Sequence, residues 1–147
     1  MLVLMCEAAG NRFAVDARQV VEVVARVRLQ SVPNGPDWLA GMCVYRGRVT
    51  PVIDLSYVVA GEATAARWSN RIIMLRVGEE TSSALCGLIV AKVAVTQAAS
   101  DPAPAGASAA AGVSPWGPLR LDADGMYQML ELPRLFSAGR RQALGIN

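Results

Sequence analysis

The chain has 147 residues, 53% of them hydrophobic and 18% charged, with 14 Lys and Arg against 12 Asp and Glu for a net charge of +2. At this length a folded chain buries roughly 70% of its unfolded surface, so a single domain can hold a core without disulfides or structural metals. No histidine is present, which excludes Ser-His-Asp and Cys-His catalysis, His-ligated zinc and haem, and the most common general base.

Short apolar runs punctuated by turn residues predict a mainly β protein. Met1 to Met5 followed by Cys6 has the outline of a lipoprotein cleavage site. The run is too short, lacks a basic leader and puts bulky Met5 before the cysteine, so it reads as a first strand. Val3 to Cys6 and Phe13 to Val15 flank Ala9-Gly10-Asn11, a hairpin turn. The Asp16 carboxylate is placed to cap the amides of Ala17 to Gln19 before a β-branched strand from Val20 to Ala25. Val32 to Asp37 holds two prolines and forms a rigid connection. Met42 to Tyr45 and Val49 to Leu55 form a second hairpin around Arg46-Gly47-Arg48, with Pro51 marking an edge position or a bulge. Ala60 to Arg67 is a passage between two halves.

The second half repeats the pattern. Arg71 to Val77, a Gly78-Glu79-Glu80 turn and one run from Ala84 to Thr96 predict another hairpin. The Ala, Ser, Pro and Gly tract from Ala98 to Gly112 lacks large apolar residues and is expected to be a flexible loop. Leu119 to Leu121 and Met126 to Leu130 close a hairpin over Asp122 to Gly125, Pro133 to Phe136 starts a short helix, and 137–147 is a tail. Two clusters of short strands predict two small barrels or sandwiches, and periodicity does not choose between them.

Cys6, Cys43 and Cys86 are odd in number and form no Cys-x-x-Cys pair, so they read as core residues of a protein in a reducing compartment. No stretch approaches the roughly 20 apolar residues of a membrane span. The isoelectric point near 8.6 comes with no clustered basic block, so nucleic acid is not the expected partner. Glu22 and Arg46 are the charges set most firmly inside apolar strands. As an inward pair each would need the other, and losing one partner of a buried pair costs about 3–5 kcal/mol; two solvated charges are the commoner arrangement. Gly41 and Gly47 read as turn glycines. Asp54, with no second carboxylate nearby in sequence, reads as a cap. Trp38 and Trp68 are either core residues or interface anchors.

The segment Pro33-Asn34-Gly35-Pro36-Asp37-Trp38-Leu39-Ala40-Gly41, continuing through Val44-Tyr45-Arg46-Gly47 to Pro51-Val52-Ile53-Asp54-Leu55, resembles the CheW-like domain of bacterial chemotaxis-type signalling. That family has a proline loop, an apolar residue before a glycine, a strand ending in Arg-Gly, and Pro-Val-Ile-Asp-Leu. Phe13-Ala14-Val15 and Val20-Val21-Glu22-Val23-Val24 resemble its opening strands. The second half is looser: Ala91-Lys92-Val93 stands where the family has Val-Asp-x-Val, and Glu131 where an aspartate is common.

The resemblance implies two SH3-like five-stranded β-barrels with short helical turns, the first over about 12–66 and the second over about 70–136 plus the N-terminal strand. It implies a non-enzymatic adaptor linking a chemoreceptor's cytoplasmic helical tip to the regulatory domain of a CheA-type histidine kinase. Such an adaptor has no cofactor, is cytoplasmic and is recruited to receptor arrays. Under this reading Val27, Leu29, Leu39 and Ala40 form the kinase face. Val20, Val21, Glu22, Arg46, Ile73 and Leu88 line the receptor groove, with Glu22 paired to Arg46. Gly41, Gly47, Pro51 and Asp54 shape the motif. The same architecture serves pathways for surface sensing or second-messenger synthesis. A β-barrel binding nucleic acid, and an enzyme using Cys43 or Asp54, are the readings from other classes; the first lacks a basic groove with aromatics and the second lacks a base.

Overall fold

The runs Arg71–Val77 and Ala84–Val90 are apolar at nearly every position, and in the computed structural model, which describes residues 1–78, 84–99 and 115–146, that follows from burial on both faces. Among the described residues ten strands form two mixed five-stranded sheets. One contains β1 (Leu2–Ala8), β2 (Asn11–Asp16), β8 (Lys92–Ala98), β9 (Leu119–Asp122) and β10 (Gly125–Met129), in the order β8-β1-β2-β10-β9. The other contains β3 (Val20–Ala25), β4 (Leu39–Tyr45), β5 (Arg48–Asp54), β6 (Arg71–Val77) and β7 (Ala84–Val90), in the order β3-β6-β7-β5-β4. The grouping differs from a division in chain order: β2 joins the sheet of β1, while β6 and β7 pair with β3 and β5.

Strand alternation then sorts side chains into three clusters. Leu4, Cys6, Phe13 and Val15 meet Ile53, Ile73, Leu75 and Leu88 between the sheets. Val3, Met5, Ala14, Tyr127 and Met129 fill the far face of the first sheet. Cys43, Tyr45, Val52, Ile72, Met74 and Ile89 fill the far face of the second. Both sheets curl until their edges approach. Gln97 on edge strand β8 donates to Asp122 on edge strand β9 at 3.2 Å, and Tyr45 at the end of edge strand β4 donates its hydroxyl proton to Glu22 on edge strand β3.

Asp122 also accepts two bonds from Arg12, at 2.8 and 2.6 Å. This bidentate contact, with Gln97 and the Asp124 amide, holds its pKa down at about 2. A carboxylate depressed from its unfolded value near 3.9 contributes stability that is complete above that value and is lost as pH falls through about 2. Replacing Asp122 by Asn should therefore flatten the fall in thermal midpoint between about pH 4 and pH 2 relative to the parent chain. Parallel profiles would show that the contact contributes nothing.

Several local readings are met. Ala9 and Gly10 turn the first hairpin with φ of 50° and 76°, and the Asp16 carboxylate accepts from the Arg18 amide at 3.0 Å over a single 3-10 turn, Ala17–Gln19. Pro33 and Asn34 occupy a tight turn closed by a bond from the Gly35 amide to the Val32 carbonyl at 3.0 Å, with Asn34 at φ 58°.

Others differ. The run from Ala84 to Thr96 is two strands: it breaks at Ala91, whose amide donates to the Glu7 carbonyl at 2.9 Å, and β8 crosses to the other sheet to pair with β1. Pro51 is on an inner strand, not an edge. Its partner Met42 spends both backbone groups on Gln30, and pairing of β5 with β7 begins one residue later at Val52, so no ladder bond needs the missing amide. After β5, Leu55–Ala60 forms a helix, α1, where the sequence reading ended a strand. Near the end, α2 (Leu132–Leu135) matches the expected short helix, and the expected tail instead carries α3 (Ala138–Leu144), capped by Ser137. Arg140 of α3 stands between the rings of Trp38 and Trp116, at 5.9 Å from each, and donates to the Leu135 carbonyl at 3.1 Å. Trp38 is thus a packing residue. The expected loop from Ala98 to Gly112 lies outside the described residues beyond Ala99, as do Glu79 and Glu80 of the expected turn.

Candidate functional site

The site is built where the edges of the second sheet meet. Strand β3 carries an extra residue against β6 between Val20 and Glu22, a bulge that changes the phase of the strand. Val20 and Val23 face the central core, while Val21 and Val24 face the outer cluster. By alternation Glu22 shares the face of Val24, and there it reaches β4. Its Oε2 accepts from the Tyr45 hydroxyl and from Arg46 Nη2, the latter at 3.3 Å. The Arg46 guanidinium lies 5.1 Å from the centre of the Tyr45 ring. The hydrogen bond to Glu22, more than partial burial, raises the Tyr45 pKa.

The expected contact between Glu22 and Arg46 is present, but the pair is not buried: their side chains are 44% and 65% exposed. A pair this open contributes at most about 1 kcal/mol to folding, so the 3–5 kcal/mol cost of breaking a buried pair does not apply. Arg46 is held at φ 49°, a left-handed conformation unfavourable for a side chain with a Cβ. With Gly47 at φ 77° it forms the two-residue turn between β4 and β5, which aims the guanidinium back at Glu22. Tyr45, absent from the expected site, is the third member of the cluster; its place next to Arg46 in the hairpin was the available signal.

Val21 and Arg46 line an open cleft of about 510 Å³, together with Pro51, Leu85, Leu144 and Ile146. Ile73 and Leu88 do not. Both are 0% exposed, directly paired in β6 and β7, and they belong to the core between the sheets. The neighbouring parity supplies the cleft instead, through Leu85. Val20 also packs toward the central core.

The residues expected at a kinase face are spread. Val27 is 43% exposed, Leu29 and Ala40 are half-buried against the outer cluster, and Leu39 sits half-buried opposite Ile53 at the start of β4. Leu29 borders a shallow cleft with Met42, Val44 and Val49. Val44 and Val49 are cross-strand neighbours, 73% and 71% exposed, and form an apolar surface that the sequence reading missed. Gly41 is not a turn glycine. It lies in β4 at a register shift with φ 152°, and a Cβ there would stand 2.7 Å from the Gln30 carbonyl oxygen, so it lets the Leu29–Gln30 segment close on the strand.

Asp54 behaves as a cap. It accepts from the Tyr57 amide at 3.2 Å and from the amide and hydroxyl of Thr64 at 2.8 and 2.7 Å, which pins α1 and the passage after it. Burial raises the pKa of Cys43 and, as the main cause, pushes Cys6 and Cys86 up to about 12. Such thiols are poor nucleophiles at neutral pH. Among the described residues no group of three or more His, Cys, Asp or Glu side chains is placed to hold a metal ion, and no helix is long and apolar enough to cross a membrane.

The family model of the CheW-like domain matches residues 2–140. The fold is similar to the crystal structure of the scaffolding protein TtCheW from Thermoanaerobacter tengcongensis, with a TM-score of 0.74 and 23% identity over 95% of this chain and 89% of that one. No curated protein matches the chain significantly.

Proposed function

The chain belongs to the CheW-like domain family, and from that membership we propose that it is a non-enzymatic cytoplasmic adaptor, recruited to receptor arrays, that couples the helical tip of a chemoreceptor to the regulatory domain of a CheA-type histidine kinase. The family match over nearly the whole chain carries this reading. The Glu22, Tyr45 and Arg46 cluster beside the Val21 and Leu85 cleft is the proposed receptor contact. The Val27 and Leu29 side, extended by Val44 and Val49, is the proposed kinase contact. The mechanism is one of differential binding: a receptor state that contacts the cluster more strongly shifts the kinase equilibrium by that difference, with no bond made or broken.

Charge reversal tests the receptor half. Arg46→Glu should weaken binding of a chemoreceptor cytoplasmic tip from the same genome by roughly tenfold or more, a change of about 1.4 kcal/mol. Because the pair is exposed, the thermal midpoint should barely move. The double variant Glu22→Arg with Arg46→Glu should recover part of the loss. If the double variant equals the sum of the single ones, Glu22 and Arg46 do not act as a pair in binding.

A further inference from the structure

Trp68, in the passage between α1 and β6, is 100% exposed. A tryptophan can bury 150–250 Å² against a partner, and tryptophan and arginine are the residue types in which interface energy concentrates. Arg26, Arg67 and Arg71 surround it, and with Ala25 and Ala66 they line an open cleft of about 410 Å³ at the end of β3 away from Glu22. Arg71 is fixed there by bonds to the carbonyls of Trp68 and Asn70, at 2.9 and 2.8 Å. None of the ion pairs among the described residues involves these three arginines. The chain's own acids are engaged elsewhere: every described carboxylate except Glu62 and Asp124 is held by an ion pair or hydrogen bond within the chain.

We propose that Trp68 with Arg26, Arg67 and Arg71 forms a docking site for an acidic segment of a partner protein, distinct from the two contacts above. Trp68 packs against an apolar side chain of that segment, and the arginines meet carboxylates flanking it. Charge complementarity selects this occupant. A second copy of the chain offers almost no unengaged carboxylates among its described residues. Single-stranded nucleic acid is held by successive aromatic platforms along a basic track, and one tryptophan stands here. An open cleft lined by Ala25 and Ala66 beside Trp68 fits a side chain better than a flat lipid surface.

Selection of a random peptide library on the full chain tests the proposal. Enriched peptides should carry Asp or Glu on both sides of an apolar residue, bind more weakly as salt rises, and lose roughly tenfold or more in affinity to Trp68→Ala and to Arg67→Glu. Both substituted side chains are exposed, so unchanged thermal midpoints should accompany the loss. Peptides without acidic enrichment, or equal affinity for the variants, would overturn the proposal. So would binding of phosphatidylserine vesicles or a poly-dT oligonucleotide that depends on Trp68 when no acidic peptide is selected, since the patch would then serve a membrane or nucleic acid.

Discussion

Gly117→Ala should lower the thermal midpoint by roughly 6–12 °C, corresponding to a loss of about 3 kcal/mol or more in a domain of this size. Gly117 sits at φ 150°, and a Cβ built there would lie 1.8 Å from the Met129 carbonyl oxygen. No side-chain rotation relieves a clash with backbone. The segment cannot simply move away, because the Met129 amide donates to the Pro118 carbonyl at 2.9 Å and the Glu131 amide to the Trp116 carbonyl at 2.8 Å. Displacing it also shifts Trp116, which with Trp38 encloses Arg140. A midpoint within about 1 °C of the parent would mean that this backbone approach is not held in solution.

Leu88→Ala and Ile73→Ala should each cost about 2–5 kcal/mol without a specific loss of receptor-tip affinity in the fraction that remains folded. Both side chains lie at the centre of the core between the sheets, fully shielded. Leu85→Ala, one strand face away, should show the opposite profile: a small change in midpoint and a measurable loss of binding. Midpoints by calorimetry and affinities measured well below them separate the two effects. If Leu88→Ala is thermally silent and weakens binding, the groove runs between the sheets and the placement of the cleft beside Val21 and Leu85 is wrong.

That pair of residues also shows where sequence reading stops. Strand existence was legible from apolar runs bounded by Gly, Pro and Asn: β3 and β6 emerge with their expected bounds, and the hairpin turns fall on Ala9-Gly10 and Arg46-Gly47. Parity was not legible, because strands buried on both faces do not alternate between apolar and polar residues. In Ile72-Ile73-Met74-Leu75 nothing marks which side faces the other sheet, so the expected place of Ile73 and Leu88 in the receptor groove had no check from the residues themselves, and the structure puts both in the core.

The contact of Glu22 with Arg46 was reachable only through the family resemblance, because the bulge near Val21 and the left-handed Arg46 that create it depend on tertiary pairing. Tyr45 stands next to Arg46 in the hairpin, but that it reaches Glu22 follows from the same pairing. The helix α1 was hidden by its β-branched residues, although Asp54 before it and Gly61 at φ 75° after it are ordinary cap signals. Trp68 could not be told from a core tryptophan, since composition does not report that the chain around it packs elsewhere.

The adaptor account rests most directly on kinase binding. Titration calorimetry of the full chain against the regulatory domain of the CheA-type kinase from the same genome should give micromolar or tighter affinity. Val44→Glu and Leu29→Glu, checked for an intact fold by circular dichroism, should abolish it, because a charge would be forced into the apolar contact. Absence of binding to any such kinase, or binding untouched by both variants, would contradict the account: the first removes the proposed partner and the second the proposed face.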